Sequence, residues 1–180
     1  MTKKDYDVII IGAGPTGIFT AMEFVKKEAD LDILMLEKGT DLDRRVCPMK
    51  ENPGMGCVNC DSCAIVSGWG GAGAYSDGKL TRSPDIGGNL ENYIGRQKLI
   101  DNISYADDIY MEFGAPDRVF GVEEDKKEEI RKKAVKAELK FIPANLRHLG
   151  TGYSQVVLQN MQDYLEDNGV EIRFGVNVKE

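Results

Sequence analysis

The chain is short of positive charge. Lys and Arg total 23 against 30 Asp and Glu, a formal net charge of −7. Nucleic-acid surfaces need clustered positive charge, so this balance argues against that class of partner. Long apolar runs are also missing. None approaches the roughly 20 residues that a membrane span requires. Residues 1–5 are polar, and the run Val8–Ile11 is too short for a signal peptide and leads straight into glycines. Cysteine is absent outside Cys47–Cys63, yet all four cysteines fall inside those 17 positions. These absences predict a cytoplasmic protein with reduced thiols and neither membrane nor nucleic-acid partners. In a reducing compartment, such a cluster points to metal or redox work more than to structural disulfides. With 180 residues, the chain can form one domain with a real core or one lobe of a larger protein.

Hydrophobic patterning gives the local structure. Residues 6–11 (YDVIII) read as a buried parallel strand. After the glycine-rich run 12–17, Ile18, Ala21, Met22 and Val25 recur at helical spacing. Residues 32–37 (DILMLE) read as a second buried strand, completing a βαβ unit that is expected to cross over right-handed. Residues 38–88 carry many Gly, Cys, Pro and Asp and little periodicity, which predicts a long functional loop. Helical spacing resumes over 90–113 through Leu99, Ile103, Ala106, Ile109, Tyr110 and Phe113. Residues 123–138 predict a solvated helix with acids first and bases later. A short strand is expected at Leu139–Ile142, a helix at Ser154–Asn168, a strand at Val170–Phe174 and the start of another at Val176–Val178.

The first chemical signal is Gly12-x-Gly14-x-x-Gly17. It follows a strand, opens a helix, and is followed by an acid, Glu37, that ends the second strand 25 residues after Gly12. Gly12 permits the tight turn, Gly14 admits a pyrophosphate to the backbone N–H groups, and Gly17 lets helix and strand pack closely. The helix N-terminus adds partial positive charge. Glu37 can accept both hydroxyls of an adenosine ribose and repels a 2′-phosphate, which disfavours NADP at this position. The fingerprint alone does not choose between FAD and NAD.

A second cluster, Ser67–Leu80, holds five glycines between Gly68 and Gly78. Small residues let the backbone approach a ligand closely. Lys79 is a candidate for stabilising an anionic reduced flavin. The candidate cofactor-binding set is therefore Gly12, Gly14, Pro15, Thr16 and Gly17, then Glu37, Lys38 and Arg45, then Gly70, Gly71, Gly73, Ser76, Asp77 and Lys79. Arg82, Lys79 and Arg147 are candidates for binding an anionic substrate or a pyridine nucleotide. His148, the one histidine, could donate a proton near a flavin, cap a turn or lie on the surface. Lys79 and His148 are the catalytic candidates.

Cys57-x-x-Cys60-x-x-Cys63 has the spacing of the first three ligands of bacterial ferredoxin clusters. The Cys-Pro pair, Cys47-Pro48, lies upstream of the triplet instead of downstream. An iron–sulfur cluster, a Cys₄ zinc site, a flavin-coupled dithiol at Cys57 and Cys60, and unliganded thiols all remain open.

Taken together, the GAGPTG start, the C-P…C-x-x-C-x-x-C stretch, GGAGAYSDGKL, Gly87-Gly88 and Arg147–Thr151 resemble the bacterial and archaeal NAD(P)/FAD-dependent dehydrogenases. The resemblance implies a Rossmann-like FAD/NAD(P)-binding α/β fold: a parallel sheet with ββα insertions, in the N-terminal part of a two-dinucleotide-binding-domain flavoprotein. Such proteins close the FAD site with a later strand ending in Gly-Asp, and no such segment occurs here. The expected organisation is an FAD-binding βαβ unit at 1–45, a Cys/Gly-rich cofactor loop at 46–88, and a helical segment with the start of the next sheet, in the same lobe, at 89–180. The rest of the FAD and substrate domains is expected beyond Glu180, so these residues alone should bind FAD weakly or not at all.

The activity implied is that of an FAD-dependent oxidoreductase whose flavin accepts hydride from a substrate or NAD(P)H, coupled to an iron–sulfur or thiol centre. The alternatives are an electron-transfer module serving a redox partner protein and a metal-stabilised nucleotide-binding fragment without catalysis.

Overall fold

The computed structural model describes residues 5–28, 30–150 and 152–179. Thr151, the last residue of the RHLGT stretch, lies outside them. In chain order the elements are β1 (Val8–Ile11), α1 (Pro15–Lys26), β2 (Ile33–Glu37), α2 (Pro48–Glu51), β3 (Lys79–Thr81), α3 (Glu91–Ile94), α4 (Arg96–Glu112), β4 (Val119–Phe120), α5 (Glu124–Lys136), β5 (Leu146–His148), α6 (Tyr153–Asp167) and β6 (Glu171–Phe174). They form two compact units, one comprising the chain up to Ser76 together with the segment from Ser154 onward, the other Asp77–Tyr153.

The first unit is built on a parallel sheet in the order β1-β2-β6. Its central strand buries Ile33, Leu34 and Met35 in succession. Consecutive strand residues point to opposite faces, so both faces of β2 are covered. The helices carry matching apolar stripes. In α1, Gly17, Ile18, Ala21 and Met22 are buried. In α6, Val157, Leu158, Met161 and Leu165 are buried at the spacing of a single helical face. Trp69 is fully buried in this unit, donating from Nε1 to the Leu158 carbonyl at 2.7 Å and meeting the Phe174 ring edge-on.

Three expectations for this unit change. Among the described residues β1 pairs with β2 alone and lies at the sheet edge, so Ile10 is buried while Ile9 and Ile11 are 56% and 67% exposed. β6 does not open a new sheet but joins the first one beside β2. Val176–Val178 form no strand; the Val176 N–H instead donates to the Glu37 carbonyl at 2.9 Å, extending the β2–β6 pairing by one bond.

The second unit contains an antiparallel sheet in the order β3-β5-β4. The helix expected over 90–113 is broken at Gly95, which takes φ of 81° and divides α3 from α4. No strand forms at 139–142. Glu138 enters the left-handed region (φ 57°) and the Leu139 N–H returns to the Ala134 carbonyl at 2.8 Å, so Leu139 closes α5. The strand that does form, β5, carries Arg147 on its buried face. Arg147 and Asp107 are both buried and make a two-pronged pair, Nε to Oδ1 at 2.7 Å and Nη2 to Oδ2 at 2.8 Å. Arg147 also donates to the Pro116 carbonyl, and Arg82 Nε reaches Asp107 Oδ2 at 2.9 Å.

Asp107→Asn leaves two guanidinium groups facing a neutral amide. The expected cost is about 3–5 kcal/mol, as for a buried ion pair broken from one side. Replacing the pair together (Asp107→Leu with Arg147→Met) should cost clearly less than Asp107→Asn alone. Urea unfolding of the three proteins checks both statements.

Candidate functional site

The fingerprint turn lies between β1 and α1 of the first unit, and its three glycines have different reasons to be glycine. Gly12 takes φ of 98°, where a side chain is strained. At Gly17 a Cβ would stand 2.0 Å from the Gly12 carbonyl oxygen, so helix and turn pack too closely for any side chain. Neither reason applies to Gly14. Its backbone is extended (φ −78°, ψ 178°) and a Cβ there would meet nothing within 4 Å. α1 begins at this residue with Pro15 in its first turn, no side-chain cap and no acidic residue in that turn. Its N-terminal partial positive charge is therefore not offset by its own sequence. Pro15 and Thr16 are exposed at this end.

Glu37 ends β2 and is only 6% exposed. Its Oε2 accepts from the Ala13 N–H at 2.8 Å, and its Oε1 accepts from Gly39 and Gly68 at 2.8 and 2.9 Å. The carboxylate thus joins the fingerprint turn, the exit of β2 and the second glycine cluster. A carboxylate offers about four acceptor positions, and these bonds take three of them. One position at Oε2 remains, where the sequence reading expected two hydroxyls to be received. Burial pushes the Glu37 pKa up, but the three backbone N–H bonds and the charge of the exposed Lys38 outweigh it and hold the acid below its ordinary value.

Arg45 is the opposite buried charge of this unit, 4% exposed. Its guanidinium is bound to backbone carbonyls only: Nε to Ala64 at 2.9 Å, Nη1 to Trp69 and Gly71 at 2.7 and 2.8 Å, and Nη2 to Ile65 at 2.9 Å. It also lies 4.8 Å from the centroid of the Tyr75 ring. A residue expected to contact cofactor instead staples the cysteine loop to the glycine cluster.

Most of the cluster's glycines have internal reasons as well. A Cβ at Gly68 would come within 2.4 Å of the Thr40 oxygen, and one at Gly70 within 2.4 Å of a Leu158 methyl. The Gly70 N–H donates to the Ala13 carbonyl at 2.8 Å, which seats the cluster on the fingerprint turn. A Cβ at Gly71 would lie 3.4 Å from Gly14 Cα, while Gly73 faces open space. Ser76 is exposed and bonds back to the Gly73 carbonyl at 2.9 Å.

The remaining candidates belong to the second unit. Lys79 on β3 and His148 on β5 are directly opposite each other in the antiparallel register, and both are exposed. Lys79 pairs with Asp77 at 2.7 Å and holds that carboxyl below its usual range, with His148 adding to the effect. The His148 ring meets Phe120 edge-on, and Arg118 covers the other aromatic ring at 4.4 Å. Sequence reasoning named Lys79 and His148 separately; the sheet register brings them together. Arg147, a candidate anion ligand, is spent on Asp107 instead.

The four cysteines line a single cavity of about 290 Å³, with Met49 and Val58. Cys47 and Cys63 are half-buried, Cys57 and Cys60 exposed, and all are free thiols. Among the described residues, no three His, Cys, Asp or Glu side chains are arranged to hold a metal ion. The expected site is thus gathered in one cavity but not closed at ligand spacing.

No family model matches the chain. An uncharacterized protein of Clostridium beijerinckii is 26% identical over 166 residues, 92% of this chain and 24% of the relative. Among solved structures, 3-ketosteroid-Δ4-(5α)-dehydrogenase from Rhodococcus jostii RHA1 matches 99% of this chain and 40% of its own with a TM-score of 0.52 at 16% identity. L-amino acid deaminase from Proteus vulgaris matches 96% of this chain and 40% of its own, with a TM-score of 0.45 at 16% identity. The fold is a Rossmann-type α/β fold. The chain spans about a quarter of the curated relative and two-fifths of these solved chains. Among the described residues, no helix is long and apolar enough to cross a membrane.

Glu37→Gln keeps the shape but presents an NH₂ to backbone donors. A loss of about 3 kcal/mol is expected, from the two bonds at Oε1 weakened by loss of charge and the third, from Ala13, replaced by a clash of donors. Because the folded pKa lies below the unfolded one, the wild-type contribution is present above the ordinary value of 4.5 and disappears as pH falls through the folded value. Unfolding from pH 7 down to 3 should bring the two proteins together in stability at the acid end.

Proposed function

We propose that the chain is the dinucleotide-binding portion of an FAD-dependent oxidoreductase. The observation that carries this reading is Gly14. It is glycine without a steric or conformational reason inside the protein, at the uncapped N-terminus of α1. Open space beside backbone N–H groups and a helix N-terminus suits a pyrophosphate. Gly73 adds a second position where the backbone is bare toward open space.

Glu37 would use its remaining Oε2 acceptor position for one ribose hydroxyl. Its negative charge disfavours a 2′-phosphate at the same place. Gly71, against Gly14, leaves the turn without bulk on that side. When bound, FAD supplies a two-electron hydride acceptor, a chemistry that no side chain of the chain offers. The solved chains that share the fold include a steroid dehydrogenase, so redox work is among the uses to which this fold is put. Lys79 and His148 are the groups proposed for contact with an anionic substrate or with NAD(P)H as electron donor. An iron–sulfur or thiol centre at Cys47, Cys57, Cys60 and Cys63 would extend the electron path to a redox partner protein.

Gly14→Ala tests the reading. Its Cβ meets no protein atom, so unfolding stability should stay within about 1 kcal/mol, the size of an N-cap change. FAD affinity, followed by flavin fluorescence on the longest natural form of the protein, should fall at least about tenfold as the methyl enters the phosphate position. Equal affinity in both proteins overturns the assignment, as does the absence of FAD binding in the wild type. Reduction of the bound flavin by NADH or NADPH separates pyridine-nucleotide donors from a direct substrate.

A further inference from the structure

The cysteine cavity deepens the electron-path part of the proposed function, and its metal content can be tested apart from flavin binding. Cys47 stands ten positions before Cys57 in the chain. The intervening residues nevertheless return it to the same cavity as Cys57, Cys60 and Cys63. No carboxylate, amine or imidazole lines that cavity; apart from the Asn59 amide, its other walls are Pro48, Met49, Val58 and Ala64. A set of four thiols in an apolar setting is selective for thiophilic metals and offers nothing to hard cations.

Two further observations lie next to Cys63. The buried Arg45 guanidinium has only neutral carbonyls as direct partners and interacts electrostatically with Cys63. Ser62 Oγ is buried and has no hydrogen-bond partner among the described residues. Buried hydroxyls are normally satisfied. A hydroxyl adjacent in sequence to a ligating sulfur is the kind of outer donor that metal–thiolate sites use.

We infer that Cys47, Cys57, Cys60 and Cys63 close as a four-thiolate site around one thiophilic metal centre, either zinc or an iron–sulfur cluster. Residues 52–63 contain no helix or strand and residues 51–61 are exposed, so the loop can draw in without unpacking the core. Such closure is the usual coupling of metal binding to local folding. Met49 and Val58, now exposed beside the cavity, would then cover the centre. Ala64 and Ile65, which follow Cys63, are held by Arg45 together with Trp69 and Gly71, so the closed site would be anchored to the glycine cluster.

The test is metal and sulfide analysis of the full chain purified without oxygen, with visible spectra of the iron form and of a cobalt-substituted form. About one zinc per chain, or iron with matching acid-labile sulfide, supports the inference, and the two results separate zinc from a cluster. Cobalt should give the absorption of a tetrahedral thiolate site. Cys47→Ser should weaken metal retention against a chelator at least about tenfold, no less than the loss of an outer-shell partner. It should also change the cobalt spectrum. A far-ultraviolet circular dichroism spectrum matching that of the metal-free wild type shows that Cys47→Ser is folded. The inference fails if wild-type protein reconstituted with Zn²⁺, or with Fe²⁺ and sulfide, retains no metal. It also fails if Cys47→Ser binds cobalt as the wild type does, or if mass spectrometry finds a Cys57–Cys60 disulfide in metal-free protein as isolated. Loss of metal with FAD binding intact, or the reverse, shows which of the two readings has failed.

Discussion

The Glu37 carboxylate holds three stretches of backbone that are distant in sequence. Ala13 belongs to the first turn, Gly39 to the exit of β2, and Gly68 to a cluster 31 residues after Glu37. A buried charge bonded to three N–H groups fixes all three donors, because leaving any one unpaired in the interior is costly. Arg45 does the complementary work with carbonyls, binding Ala64, Ile65, Trp69 and Gly71. The two side chains also attract each other electrostatically. A loop otherwise poor in secondary structure is thereby given one conformation by two opposite charges, each satisfied by backbone.

This arrangement changes what the many glycines mean. Gly68 and Gly70 are crowded by Thr40, Arg45 and Leu158, and Gly17 by Gly12. Those glycines are consequences of close internal packing, and a ligand is not needed to explain them. Gly14 and Gly73 face open space. Function is best sought at positions where the protein leaves room that its own packing does not use.

The second unit follows another logic. Its sheet has strands of only two or three residues, and its interior charge, Asp107, is shared between Arg147 and Arg82. The alternation of β5 sends Arg147 inward and leaves His148 outward beside Lys79. One strand thus supplies both the ion pair that secures the unit and an exposed polar pair available for chemistry.

The sequence by itself determined the βαβ start, α6 and β6. Each carries its pattern within a single element: a β-branched run, a glycine turn, an apolar stripe at helical spacing. It also marked Gly12, Gly14, Gly17, Glu37 and the cysteine set as the residues to watch. Only the tertiary structure decided that β1 lies at an edge, that β6 joins β2, and that Arg45 and Arg147 serve the protein's own backbone and Asp107. It alone brought Lys79 to His148 and Cys47 to the Cys57–Cys63 triplet. The physical reason is the range of the interactions. Helical stripes and turn glycines are local and leave periodic traces. A three-residue strand such as β3 exists through bonds to β5, whose His148 lies 69 residues after its register partner Lys79. A guanidinium's partners are likewise chosen by whichever carbonyls the folded loop presents, and no spacing in the sequence records that choice.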